Sequence, residues 1–285
     1  MTGELKMKKL SSAKCFGGTQ SVYVHDSAST NTQMKFSAFT PPEDAHGDGP
    51  YPTLFWLSGL TCTEENFIIK SGFQRIAAKL GLMIIGPDTS PRGDDVPDDP
   101  DGAYDFGLGA GFYCNATETP WSQHFRMYDY VAQELPELVA KELPTDTSRT
   151  GVFGHSMGGH GALTVHLRNP DQFKTCSAFA PIVAPAQVPW GKKAFSNYLG
   201  ADEASWAAYD ATRLVEQAPS KAEILIDQGT ADAFLEDQLR PELFAAAAQK
   251  AGQKLTLRMQ DGYDHSFYFI ATFLEDHLRW HKERL

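Results

Sequence analysis

The run Gly154-His155-Ser156-Met157-Gly158 matches G-x-S-x-G. In that pattern flanking glycines let a sharp turn pass close to neighbouring backbone and present a serine hydroxyl. Five such residues also occur in ordinary glycine-rich turns, so context carries the reading. The apolar run Thr150-Gly151-Val152-Phe153 comes before it, and residues 157–167 follow with helical character. Ser156 is therefore the candidate nucleophile. A serine hydroxyl attacks a carbonyl only when a base takes its proton, and in the chain order serine, acid, histidine that base comes after the last strand. His265 meets this condition, in the loop Gln260-Asp261-Gly262-Tyr263-Asp264-His265-Ser266 behind the strand-like run 254–259. His25, His46 and His124 precede the turn. His155, His160 and His166 accompany it and are expected to pack or face solvent, and His277 and His281 fall on a terminal helical pattern.

An acid must orient the imidazole and stabilise the imidazolium. Asp232, past Gly229, is the first choice, with Asp227 at a strand end second. Asp264 is third, because a residue adjoining His265 has difficulty reaching its ring nitrogen. Backbone donors for a developing oxyanion are expected from the residue after the serine, Met157, and from the loop Leu57-Ser58-Gly59-Leu60-Thr61-Cys62, where Leu60 is the choice.

These groups need a scaffold of buried strands. Residues 21–26 and 33–39 alternate apolar and polar as a half-buried antiparallel pair does. From Pro52 onward the runs 53–57, 82–85, 150–153 and 223–226 are continuously apolar, as strands buried on both faces are. Between them, 73–80, 125–143 and 233–251 show helical spacing, with Pro136 expected to kink or end the second. Strands alternating with helices give an α/β class with a mainly parallel sheet. One domain over 1–285 is expected, with 1–18 as an N-terminal segment. The long Gly-, Pro- and Asp-rich stretch 88–119 reads as a functional or covering loop.

Composition excludes whole classes. The 285 residues carry 25 Lys and Arg against 36 Asp and Glu, a net charge of -11, and no basic block supplies the counterion-release term of nucleic-acid binding. Hydrophobic residues at 42% and aromatics at 12% exclude disorder. No apolar run approaches the roughly 18 to 20 residues of a membrane span, and no secretory signal is readable, so a cytoplasmic protein is expected. Cys15, Cys62, Cys114 and Cys176 lie at wide, irregular spacing and read as reduced thiols. The acceptor pattern Asn115-Ala116-Thr117 is most simply chance. Gly107-Leu108-Gly109-Ala110-Gly111 lacks the helix and spaced acid of a dinucleotide site. The aspartates at 94, 95, 98, 99, 101 and 105 lack calcium-loop order, and neither metal nor cofactor is needed.

The chain resembles the S-formylglutathione hydrolase (esterase D) family over about 17–280. The residues that carry the resemblance are Leu57-Ser58-Gly59-Leu60-Thr61-Cys62-Thr63-Glu64-Glu65-Asn66-Phe67, Pro87-Asp88-Thr89-Ser90-Pro91-Arg92-Gly93, Gly109-Ala110-Gly111-Phe112-Tyr113-Cys114-Asn115-Ala116-Thr117, the serine turn through Ala162, Pro189-Trp190-Gly191-Lys192-Lys193-Ala194-Phe195, Gln228-Gly229-Thr230-Ala231-Asp232 and Tyr263-Asp264-His265-Ser266. The resemblance implies an α/β-hydrolase fold, a triad of Ser156, Asp232 and His265 and oxyanion donors at Leu60 and Met157. It further implies a cytoplasmic homodimer, and hydrolysis of a glutathione thioester in formaldehyde detoxification. It also suggests that modification of Cys62 obstructs the site, although cysteine is equally a small buried hydrophobe. Trp190 and Trp121 are candidates for the substrate pocket. Glutathione conjugates are anionic, so Lys192, Lys193 or Arg92 would have to offset the repulsion of an acidic chain. The rival readings are a broad carboxylesterase for short-chain esters and a catalytically silent binding protein on the same fold. The second would be expected to have lost a triad member.

Overall fold

The computed structural model describes residues 6–285. Of the N-terminal segment expected at 1–18, residues 1–5 lie outside the described residues. The remainder contains a strand that the sequence pattern did not announce, β1 (Met7–Cys15). It is almost wholly exposed and so shows no alternation; it pairs antiparallel with β2 (Gly18–Ser27). As the edge of the sheet it carries Lys8, Lys9 and Lys14, charges that discourage pairing with another chain. β2 pairs antiparallel with β3 (Thr32–Thr40), as the alternation at 21–26 and 33–39 predicts.

The remaining strands are β4 (Tyr51–Leu57), β5 (Met83–Pro87), β6 (Thr145–His155), β7 (Thr175–Phe179), β8 (Ile224–Gly229) and β9 (Leu255–Gln260). Together the strands form a nine-stranded sheet in the order β1-β2-β3-β5-β4-β6-β7-β8-β9, parallel from β5 to β9. β7 was not read from the sequence, because Thr175-Cys176-Ser177-Ala178-Phe179 is fully buried yet chemically mixed. Ser177 and Thr175 are buried because His277 and His281 bond them: His281 meets Thr175 Oγ1 at 2.6 Å and Ser177 Oγ at 2.9 Å, and His277 meets Ser177 Oγ at 2.8 Å.

Helices cover both faces: α1 (Glu43–His46), α2 (Glu64–Lys70), α3 (Gln74–Leu80), α4 (Met127–Asp129), α5 (Leu135–Glu142), α6 (Met157–Arg168), α7 (Pro189–Tyr198), α8 (Ala211–Gln217), α9 (Pro241–Ala251) and α10 (Phe267–Lys282). Two expected helices differ in detail. Within 125–143, α4 and α5 are joined by a π-helical turn over Tyr130–Glu134 just before Pro136. Proline has no N–H for the carbonyl four residues back, and Gln172 Nε2 donates to that carbonyl, Ala132 O, at 3.0 Å. The pattern at 233–251 is broken rather than continuous. A π-helical turn over Leu235–Leu239 ends at Arg240, in the left-handed region at φ 51°, and α9 restarts on Pro241. Proline at the first helical position is a helix start, a signal that outranks the apolar spacing.

The parallel arrangement decides where chemistry can occur. The carboxyl ends of β4, β6, β8 and β9 lie at one edge of the sheet, where open α/β sheets bind ligands. The loops bearing Leu60, Ser156, Asp232 and His265 follow these four strand ends.

Candidate active site

Ser156 caps α6 with φ 59° and ψ -120° and is buried. A non-glycine residue in this region costs of order 1–3 kcal/mol and persists only where the surroundings enforce it. The neighbours do so. Ser156 N donates to Phe179 O at 3.0 Å, and its carbonyl accepts from His160 N and Ile182 N. A β-carbon at Gly154 would lie 2.2 Å from Gly158 O, and one at Gly158 would lie 1.9 Å from Leu57 O. Any larger residue at either position would force β4 and α6 apart, so the two glycines of the motif are needed for the close approach itself.

His265 Nδ1 lies 2.6 Å from Asp232 Oδ2. A carboxylate only accepts, so Nδ1 carries the shared proton and Nε2 is left with a lone pair. Asp232 is buried and is held in turn by Phe234 N at 2.9 Å and Gln228 Nε2 at 3.3 Å. The other two candidate acids are committed elsewhere. Asp227 is bonded by Arg258 Nε and Nη2 at 2.5 and 2.7 Å and lies 3.4 Å from His277 Nε2, docking α10 on the sheet. Asp264 accepts from Ser266 N and Oγ ahead of α10.

Ser156 and His265 line one cavity of about 290 Å³. No direct hydrogen bond joins the two side chains; catalytic contacts of this kind often tighten only around substrate. The same cavity is lined by Gly59, Leu60, Thr61 and Cys62. Neither Leu60 N–H nor Met157 N–H has a hydrogen-bond partner among the described residues. The loop is pressed against the serine: a β-carbon on Gly59 would sit 3.1 Å from Ser156 Cβ. Its course is fixed by Thr61, at φ 67°, whose N–H bonds Gly109 O at 2.9 Å. The Cys62 carbonyl accepts from Thr89 Oγ1 at 2.5 Å and Arg92 Nη2 at 3.3 Å, and Arg92 is itself locked to Asp88. Stretch 88–119 thus acts on the site by holding this loop.

Cys62 lines the cavity, and burial pushes its thiol up to about 11. It is a thiol at neutral pH, with its nucleophilic form suppressed. Trp190 also lines the cavity, its ring 4.7 Å from that of Phe234 and 6.3 Å from that of Tyr104. Trp121 does not. It packs against Phe106, Phe125 and Tyr198 in the core, because its short helical turn (Trp121–Gln123) lies beside α7 rather than at the strand ends.

Of the three cations expected to offset substrate charge, two are spent. Lys193 bonds Asp99 at 3.0 Å and Asp105 at 2.6 Å, and Arg92 serves Asp88. Lys192 is exposed and does not line the cavity. Two aspartates of the acidic run are accounted for by Lys193, and Asp98 accepts from Leu108 N at 2.9 Å.

His155 was expected to pack or face solvent. It is buried, lines the cavity, and lies 4.4 Å from His265, ring centre to ring centre. Burial, and then the proximity of His265, hold it well below the ordinary histidine value, so it stays neutral beside the His265 ring. The motif marks this position only as a variable residue, so spacing gave no warning. Lys70 also lines the cavity, and nothing in its local sequence separates it from other helix-end lysines.

The "Putative esterase" family model matches residues 27–280. The chain is 52% identical to S-formylglutathione hydrolase of Mus musculus over 283 residues, covering 99% of each chain, and equally so to that of Bos taurus. An S-formylglutathione hydrolase structure from Agrobacterium tumefaciens superimposes with a TM-score of 0.94 at 52% identity, covering 97% of this chain and 99% of the other.

Proposed function

Because this chain belongs to the esterase family and, within it, to the S-formylglutathione hydrolases, we propose that it hydrolyses S-formylglutathione to formate and glutathione. The observation that carries the mechanism is the 2.6 Å contact of Asp232 with His265 beside a cavity lined by Ser156. In this reading His265 Nε2 takes the Ser156 proton as Oγ attacks the formyl carbon. Asp232 holds the ring and stabilises the imidazolium. The N–H groups of Leu60 and Met157 receive the oxyanion, each such donor being worth about 3 to 4 kcal/mol of barrier. Collapse expels the glutathione sulfur with the proton from His265 and leaves formyl-Ser156. Water, deprotonated by His265, then attacks the formyl ester and restores the serine. Trp190 and Cys62 border the acyl group.

The same reading places the enzyme in formaldehyde detoxification, in the cytoplasm, as a homodimer. It is supported by the family resemblance alone. Light scattering at twice the chain mass would support the dimer.

The test compares wild type on S-formylglutathione, S-lactoylglutathione and a short aryl ester. A kcat/KM for the formyl thioester well above the other two is expected. A preference for the aryl ester would instead make the chain a broad carboxylesterase with the same catalytic groups.

A further inference from the structure

The cavity lining holds one full cation and no carboxylate. Of its fourteen residues, Lys70 is the sole Lys or Arg, and none is Asp or Glu. In a chain of net charge -11 that asymmetry is local and points at an anion. Lys70 ends α2, the helix that begins directly after the Leu60–Cys62 loop, so the segment that faces the reacting carbonyl also carries this ammonium. Lys70 has no acidic partner among the described residues, whereas Arg92 and Lys193 are each neutralised by aspartates. Its Nζ lies 5.5 Å over the Phe267 ring, another lining residue, which keeps it at the rim. One turn earlier, on the same helix face, Asn66 also lines the cavity. Its Oδ1 is occupied by Thr63 N and Oγ1, leaving its amide hydrogens uncommitted. Lys70 is also the strongest influence opposing the upward shift of the Cys62 thiol.

We propose that Lys70, supported by the Asn66 amide, is the docking point for a carboxylate of the glutathione moiety. Lys70 is then a specificity-determining residue rather than a general contributor to hydrolysis. This rests on the substrate reading above. Glutathione offers two carboxylates, and a formyl group fills only a fraction of the cavity, so the peptide must extend along its rim.

The experiment separates the two claims by using S-methylglutathione, which cannot be hydrolysed at its sulfur, as a competitive inhibitor of aryl-ester hydrolysis. Lys70→Ala is expected to raise its Ki about fivefold at low salt, the upper end for a partly exposed ion pair. Lys70→Glu should raise it further, and Lys70→Arg should stay within about twofold of wild type. In each Lys70 variant KM for the neutral aryl ester should shift by less than Ki does. Lys192→Glu, which makes the same change in net charge away from the cavity, should leave Ki at the wild-type value. An unchanged Ki in Lys70→Glu, or equal shifts in Lys70→Glu and Lys192→Glu, would overturn the docking role. Failure of the substrate reading would show separately, in the wild type's own preference among acyl donors.

Discussion

Asp232 and His265 are 33 residues apart in sequence and 2.6 Å apart in space, joined through a single carboxylate oxygen. β8 and β9 pair in parallel register, Gly229 opposite Gln260, so the loops that follow them emerge side by side. Gly229 lets them approach: a β-carbon there would sit 2.2 Å from Tyr263 O. Asp227, on the strand itself, points instead at Arg258 and His277.

Exchanging each acid for its amide separates the two roles. Asp232→Asn should keep the fold and lower kcat by about 10³ to 10⁴, because an amide favours the wrong imidazole tautomer. Asp227→Asn should keep kcat near wild type and destabilise by about 1–3 kcal/mol, since the partly exposed Arg258 loses its counter-charge. Steady-state rates and thermal melts on both variants check this. A catalytic collapse in Asp227→Asn at unchanged stability would reverse the assignment.

Cys62 should alkylate slowly. With its thiol near 11, only about one molecule in a few thousand is thiolate at pH 7.5. Inactivation by iodoacetamide should therefore accelerate about tenfold per pH unit up to that range. Cys62→Ser should remain active and resist the reagent, because the obstruction is steric. Inhibition that persists in Cys62→Ser would place the sensitive group elsewhere.

The clamp on the Cys62 carbonyl should be visible in kcat. Arg92→Ala removes the Nη2 contact and frees Asp88, letting the Leu60 N–H drift from the oxyanion position. A fall of about tenfold in kcat with little change in aryl-ester KM is expected, partly restored by Arg92→Lys. A change confined to KM would mean that Arg92 acts on binding.

Acid should unfold the protein in a definite window. Burial holds His160 at about 4 instead of 6.5, with its Nε2 on Phe112 O at 2.8 Å. A base whose folded value is depressed leaves the unfolded chain to take up the proton first, so stability is complete above 6.5 and declines as pH falls toward 4. This group alone accounts for up to about 3 kcal/mol; buried His166, His277 and His281 are shifted the same way. Thermal midpoints measured from pH 7.5 to 4.5 should drop steadily. A flat profile would count against neutral buried histidines.

Legibility in the sequence followed physical cause. Continuous apolar runs announced β4, β5, β6 and β8, and the glycine spacing announced the turn at Ser156, because both signals are local. β7 was hidden since its polar residues are satisfied by histidines a hundred residues away. The break at Arg240 was overshadowed by apolar spacing. Trp121 and Trp190 look alike as sequence, and only packing sends one to the core and the other to the cavity. Lys70, at the end of α2, and His155, at the end of β6, lie at the cavity because of which elements share its rim, information that no short window contains.

A formyl-serine at Ser156 would be trapped by rapid quenching during turnover of S-formylglutathione followed by peptide mass spectrometry. A formyl adduct is expected on the peptide bearing Ser156, lost on further incubation, with neither adduct nor turnover in Ser156→Ala. Full turnover by Ser156→Ala, or an adduct on Cys62 in its place, would contradict it.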